Sequence, residues 1–150
     1  MTIDSPVGPL TIVLDEAGRL AELRFHRGEE NRQPPTANCQ PVIDQLTEYF
    51  AGKRKNFDIE LAMRGTEFQL DVWNELTRIP YGDTISYSDL ARRIGRPAAI
   101  RAVGAANGAN PIPVIVPCHR VIGANGSLTG YGGGIERKQW LLALEGRRLF

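Results

Sequence analysis

The 150-residue chain has only two cysteines, Cys39 and Cys118, and only two histidines, His26 and His119. Two thiols cannot build the multi-bridge framework of a small secreted domain. With no secretion signal ahead of them, a reduced, cytoplasmic setting with both thiols free is expected. A structural zinc is not expected either, because these side chains are scattered and lack paired-knuckle spacing. No uninterrupted apolar run of about 18 residues occurs, so no membrane span is expected. The opening Met-Thr-Ile-Asp-Ser-Pro has no signal-peptide character. Charge of one sign is also lacking, since the net is +1.

Along the chain the charge is uneven. Between Ser86 and Arg120 stand five arginines (Arg92, Arg93, Arg96, Arg101 and Arg120) against Asp89 alone. Everything before Ser86 is net acidic. A basic segment of this kind is the footprint expected of nucleic-acid binding, or else a solvated charged face.

The patterning predicts an α+β protein of two lobes, residues 1–62 and 63–150. In the first, Pro9–Leu14 and Arg19–Phe25 alternate about the turn Asp15-Glu16-Ala17-Gly18 and read as a hairpin. Gly28–Cys39 reads as a loop, and Pro41–Phe50 as a helix stopped by Gly52. Phe57–Leu61 reads as a short strand. The second lobe reads as mostly helical. Thr66 and Gln69 form a capping-box pattern ahead of the stripe Phe68, Val72, Leu76 and Ile79, and Pro80-Tyr81-Gly82-Asp83 ends that helix. Ser86 and Asp89 repeat the pattern, with Gly95 as the stop. Pro97 is expected to open the next helix, through about Asn107, rich in alanine and glycine. Two short helices about a glycine turn, with an arginine on the second, suit a helix-turn-helix. The small residues serve either close helix packing or approach to a DNA groove. A final helix is expected from Ile135 to Gly146, with Glu145 at the end of its apolar run.

The chemistry-bearing tetrapeptide is Pro117-Cys118-His119-Arg120, at the end of the apolar stretch Ile112-Pro113-Val114-Ile115-Val116. An ordinary thiol, with a pKa of about 8.5, is mostly protonated at neutral pH and needs a base or cation to become a nucleophile. Adjacent side chains tend to point apart, so adjacency alone does not make a catalytic pair.

Together these blocks make the chain similar to the methylated-DNA–protein-cysteine methyltransferases, the O6-alkylguanine-DNA alkyltransferase family. The resemblance runs from Ser5-Pro6-Val7-Gly8-Pro9-Leu10 through Trp73, Ile79-Pro80-Tyr81-Gly82 and Ser86-Tyr87. It is densest from Arg101-Ala102-Val103-Gly104 through Asn110-Pro111, Pro117–Ile122 and Gly130-Tyr131, and closes on Lys138, Trp140-Leu141-Leu142 and Glu145-Gly146. It implies a ribonuclease-H-like first lobe and a helical second lobe carrying the site. The implied activity is irreversible, single-turnover transfer of the alkyl group of O6-alkylguanine, and of O4-alkylthymine, in double-stranded DNA to the protein's own cysteine. No cofactor is implied, and self-association on DNA is left open.

Residue by residue, the resemblance makes Cys118 the acceptor, held as a poised thiolate, and His119 its base through a water, with Glu145 orienting the imidazole. Tyr87 becomes the proton donor to guanine N3, and Asn110 ties the segment before the cysteine to the recognition helix. Arg101 would enter from the minor groove and fill the space of the flipped nucleotide, with Ser86, Ala102 and Arg120 also on DNA. Val121, Tyr131, Gly132 and Gly133 would line the base pocket. Gly132 departs from the hydroxyl residue that many relatives carry there, which leaves only a backbone donor. The zinc ligands of animal members and the regulatory domain of some bacterial ones are not evident. A non-catalytic damage sensor, a cysteine hydrolase and a sequence-specific transcription factor are the competing readings.

Overall fold

The structure, a computed structural model, describes residues 1–25, 38–128, 131 and 133–146. The chain divides into two units, Met1–Arg64 and Gly65–Phe150. Among the described residues no helix is long and apolar enough to cross a membrane. Both cysteines are free and buried.

The first unit holds an antiparallel sheet in the order β1 (Thr2–Ile3), β2 (Leu10–Leu14), β3 (Leu20–Phe25). The expected hairpin forms, and its turn chemistry is visible: the Asp15 carboxylate accepts the amides of Ala17 and Arg19, and Gly18 takes φ +81°. Leu10, Ile12, Leu20 and Leu23, with Val42, Leu46 and Tyr49, are the buried residues of the unit's core. Those last three come from α1 (Gln40–Phe50), whose first turn carries Pro41. The strand expected at Phe57–Leu61 does not form. Only a parallel bridge joins Leu61 to Leu20, with Leu20 N donating to Glu60 O and Ala62 N to Leu20 O. Strand β1 was not anticipated, being too short to show a pattern.

In the second unit, both capping boxes close in full. Thr66 and Gln69 cap α2 (Glu67–Leu76), and Ser86 and Asp89 cap α3 (Tyr87–Arg93). Helix α4 spans Ile100–Gly108, three residues later than expected. Pro97 lies instead inside a turn closed by Ala99 N on Arg96 O, where its fixed φ suits the second position. Helix α5 spans Ile135–Leu144. The α3–α4 pair makes the helix-turn-helix, and Trp73 of α2 secures it by donating its indole N–H to Ala106 O at 2.8 Å. A two-stranded parallel ribbon, β4 (Ile85–Ser86) with β5 (Val121–Ile122), joins the start of α3 to the segment just after the cysteine. Sequence periodicity cannot register strands of two residues.

Candidate active site

Cys118 opens a single 3-10 turn, Cys118–Arg120, and is 5% exposed. The backbone leading into it is clamped from α4 and the loop after it. Asn110 donates Nδ2–H to Val116 O at 2.8 Å and accepts Ile112 N–H on Oδ1 at 2.9 Å. Asn107, a residue not singled out from the sequence, donates to Cys118 O at 3.3 Å. The clamped segment is strained as well: Val114, a β-branched residue, has φ +75°.

The thiol is not poised as a thiolate. Burial pushes it up to about 11, while a hydrogen bond from the Asn110 side chain and the charge of Lys138 oppose that shift. The imidazole meets Glu145, the contact expected to orient it. His119, fully buried, presents Nε2 to Glu145 Oε2 at 2.8 Å. Burial lowers the His119 pKa despite Glu145, so the ring is neutral. Burial alone would raise Glu145, yet hydrogen bonds from His119 and Arg120 hold its carboxyl down to about 2. An ionised carboxylate can only accept, so Nε2 must carry the proton and Nδ1 must be an acceptor. That Nδ1 has no hydrogen-bond partner among the described residues.

Arg120 belongs to this network rather than to a DNA surface. It is 7% exposed and grips Glu145 in a fork, Nε on Oε1 at 2.8 Å and Nη2 on Oε2 at 3.0 Å, with Nη1 donating to Ile79 O at 2.7 Å. Its group is committed inside, which corrects the DNA contact that the resemblance implied for it. The other four arginines of the basic segment are exposed. Gly82, at φ +86°, sits in the turn beside Glu145, where an added Cβ would meet Glu145 O at 3.3 Å.

The residues of α4 divide between two faces. Val103, Ala106 and Asn107 pack inward, while Arg101, Ala102, Ala105 and Gly108 form an exposed stripe. Ser86 is half-buried, and its hydroxyl accepts the Asp89 amide as the cap of α3. Tyr87, the first residue of α3, is half-buried, with its ring 5.8 Å from Lys138 Nζ. Val121 and Tyr131 are buried and Gly133 is half-buried; burial raises the Tyr131 phenol well above its ordinary value, with Cys118 adding to it. Gly132 lies outside the described residues.

Lys138 received no role from the sequence, although the signal was there. Lys138, Leu141, Leu142 and Glu145 stand at i, i+3, i+4 and i+7, so two charged residues share the apolar face of α5. Both are buried.

Two family models match the chain: "6-O-methylguanine DNA methyltransferase, ribonuclease-like domain" over residues 1–63, and "6-O-methylguanine DNA methyltransferase, DNA binding domain" over residues 67–147. The chain is 53% identical to a methylated-DNA–protein-cysteine methyltransferase of Mycobacterium tuberculosis, over 98% of this chain and 92% of that protein. It is 50% identical to one from Methanosarcina acetivorans, over 95% of each. Among solved structures it is similar to Mycobacterium tuberculosis OGT in complex with DNA, with a TM-score of 0.88 and 54% identity, covering 96% of this chain and 90% of that one.

Proposed function

The chain belongs to the 6-O-methylguanine DNA methyltransferase family, and from that premise we propose that it repairs DNA by moving the alkyl group of O6-alkylguanine onto its own Cys118. The observation that carries this reading is the buried set in which Cys118 heads a turn continuous with the neutral His119, itself bound to an ionised Glu145.

The alkyl carbon of an O6-alkylguanine cannot be reached inside a stacked duplex, so the nucleotide must rotate out at a cost of a few kcal/mol. The exposed stripe of α4 is the surface that meets the minor groove, with Arg101 filling the vacated space and the other exposed arginines near phosphates. Any guanine can be damaged, so contacts to the backbone rather than to base edges should dominate. O4-alkylthymine presents the same exocyclic carbon–oxygen bond.

The thiol proton leaves as the reaction proceeds, rather than beforehand. His119 Nδ1 is the acceptor, through a water, and Glu145 stabilises the imidazolium that results, as in other acid–base–nucleophile triads. The sulfur forms a bond to the alkyl carbon, the carbon–O6 bond breaks, and its electron pair passes into the purine. Tyr87 donates its proton to N3 as that charge develops. Val121, Tyr131, Gly132 and Gly133 surround the base. The product is a thioether, which water does not cleave, so each molecule acts once. A cysteine hydrolase would turn over repeatedly, and a damage sensor would bind without transfer.

Incubation with a duplex bearing O6-methylguanine should add about 14 Da, one methylene, to the peptide containing Cys118, with one guanine restored per protein. An unmodified Cys118 beside unrepaired DNA would falsify the reading.

A further inference from the structure

Three glycines in a row, Gly132-Gly133-Gly134, precede α5. Glycine gives up more conformational freedom on ordering than any other residue, so backbone of this kind keeps one course only where another group holds it. The start of the helix offers little. Gly134, the residue at its cap, takes φ +95° and has no side chain to accept a first-turn amide. The hold comes from the helix itself. Arg137, half-buried in the first turn, reaches back and donates Nη1–H to Gly133 O at 2.9 Å. Gly134 N–H donates to Tyr131 O at 3.0 Å, which ties the buried tyrosine to the same place. Burial raises the Tyr131 phenol, and the Arg137 charge opposes the rise, so the cation also acts on that ring's hydroxyl. A cation in the first turn stands against the helix dipole, which favours anions there. The bond to Gly133 gives an arginine a reason to occupy this position.

We propose that Arg137 is a positioning residue for the base pocket, bracing the backbone at Gly133 so that Gly133 and Tyr131 keep the places from which they surround the base. The inference rests on the reading of Cys118 as alkyl acceptor and of these two residues as pocket lining. Glycine lends a pocket wall no side chain, so the wall lies wherever the backbone runs. Fixing the backbone fixes the wall, and Arg137 needs no contact with the base to do so. Without the brace the backbone at Gly133 samples other courses, and a base binds only the fraction of molecules still in the right one. Cys118, His119 and Glu145 are held by other residues, Asn107, Asn110 and Arg120. The brace therefore acts on binding of the base and leaves the chemical step alone.

The test uses the full chain and free O6-benzylguanine, so that neither base extrusion nor any attraction between Arg137 and DNA enters. Cys118 alkylation is followed by intact mass at neutral pH over a range of benzylguanine concentrations. Arg137→Met, of similar length but without the donor, should raise the half-saturating concentration roughly 5- to 10-fold, the effect of losing one hydrogen bond from a charged donor at a half-buried place. The limiting rate at saturation should stay within about twofold, as expected when only binding is lost. Arg137→Lys, which keeps a charged donor, should recover part of the affinity. An unchanged half-saturating concentration overturns the inference, and so does a loss carried mainly by the limiting rate. If Arg137→Met does not fold, Arg137→Ala, which favours the helix, is judged by the same two quantities. Failure of both variants to fold also overturns it, since a brace at the pocket leaves the core intact. A wild-type protein that takes no benzyl group on Cys118 defeats the proposed function itself, a result distinct from all of these.

Discussion

Arg120 and Glu145 form a two-pronged ion pair in the interior, with Nε on Oε1 at 2.8 Å and Nη2 on Oε2 at 3.0 Å. The carboxylate that orients His119 is thus itself oriented, and its charge is already balanced before any substrate arrives. Burial keeps the imidazole neutral, with the Arg120 charge adding to it, while Glu145 remains ionised, the combination that a proton-accepting histidine needs.

Removing Arg120 should therefore strand a buried carboxylate. Arg120→Met is expected to lower unfolding free energy by about 3–5 kcal/mol, measured by urea denaturation at pH 7. The double variant Arg120→Met/Glu145→Gln should recover part of that loss, because no charge is left behind. Simple additivity in the cycle would contradict the pairing.

Acid should expose the same group. The Glu145 carboxyl is held at about 2 in the folded protein against an ordinary 4.5. Its contribution to stability is therefore complete above about 4.5 and is lost as the pH falls through about 2. Urea midpoints between pH 6 and pH 3 should fall more steeply for the wild type than for Glu145→Gln. Parallel slopes for the two proteins would rule the linkage out.

Cys118 should be a sluggish thiol toward general reagents. With the group pushed up to about 11 against an ordinary value of about 8.5, the thiolate fraction at pH 7 is roughly 300-fold below that of an ordinary cysteine. Iodoacetamide labelling of Cys118 should be at least that much slower than labelling of free cysteine, while O6-benzylguanine still reacts. Fast labelling by iodoacetamide at neutral pH would show that the thiolate exists beforehand.

Arg101 should matter only where a base must leave a duplex. Arg101→Ala is expected to slow repair of O6-methylguanine in duplex DNA by roughly tenfold, about 1.4 kcal/mol of the extrusion cost. Its reaction with free O6-benzylguanine should match the wild type. Equal losses on both substrates would remove the wedge role.

Much of this molecule was written in local pattern. The two capping boxes, the Asp15–Gly18 turn and the apolar stripe of α2 depend on residues a few positions apart, and each formed as its spacing required. The order of short motifs around Pro117-Cys118-His119-Arg120 named the family, because order along a chain survives without coordinates. What the sequence could not decide was which way long polar side chains turn. Arg120 and Arg101 are the same residue type in one basic segment, yet one is locked to a carboxylate 25 positions away and the other is exposed. Lys138 shares the apolar face of α5 by its spacing, but its burial and its bond to Val121 O follow only from the docking of α5. The ionisation of Cys118, His119 and Glu145 was set in the same way, since desolvation and pairing arise only when distant segments exclude water together.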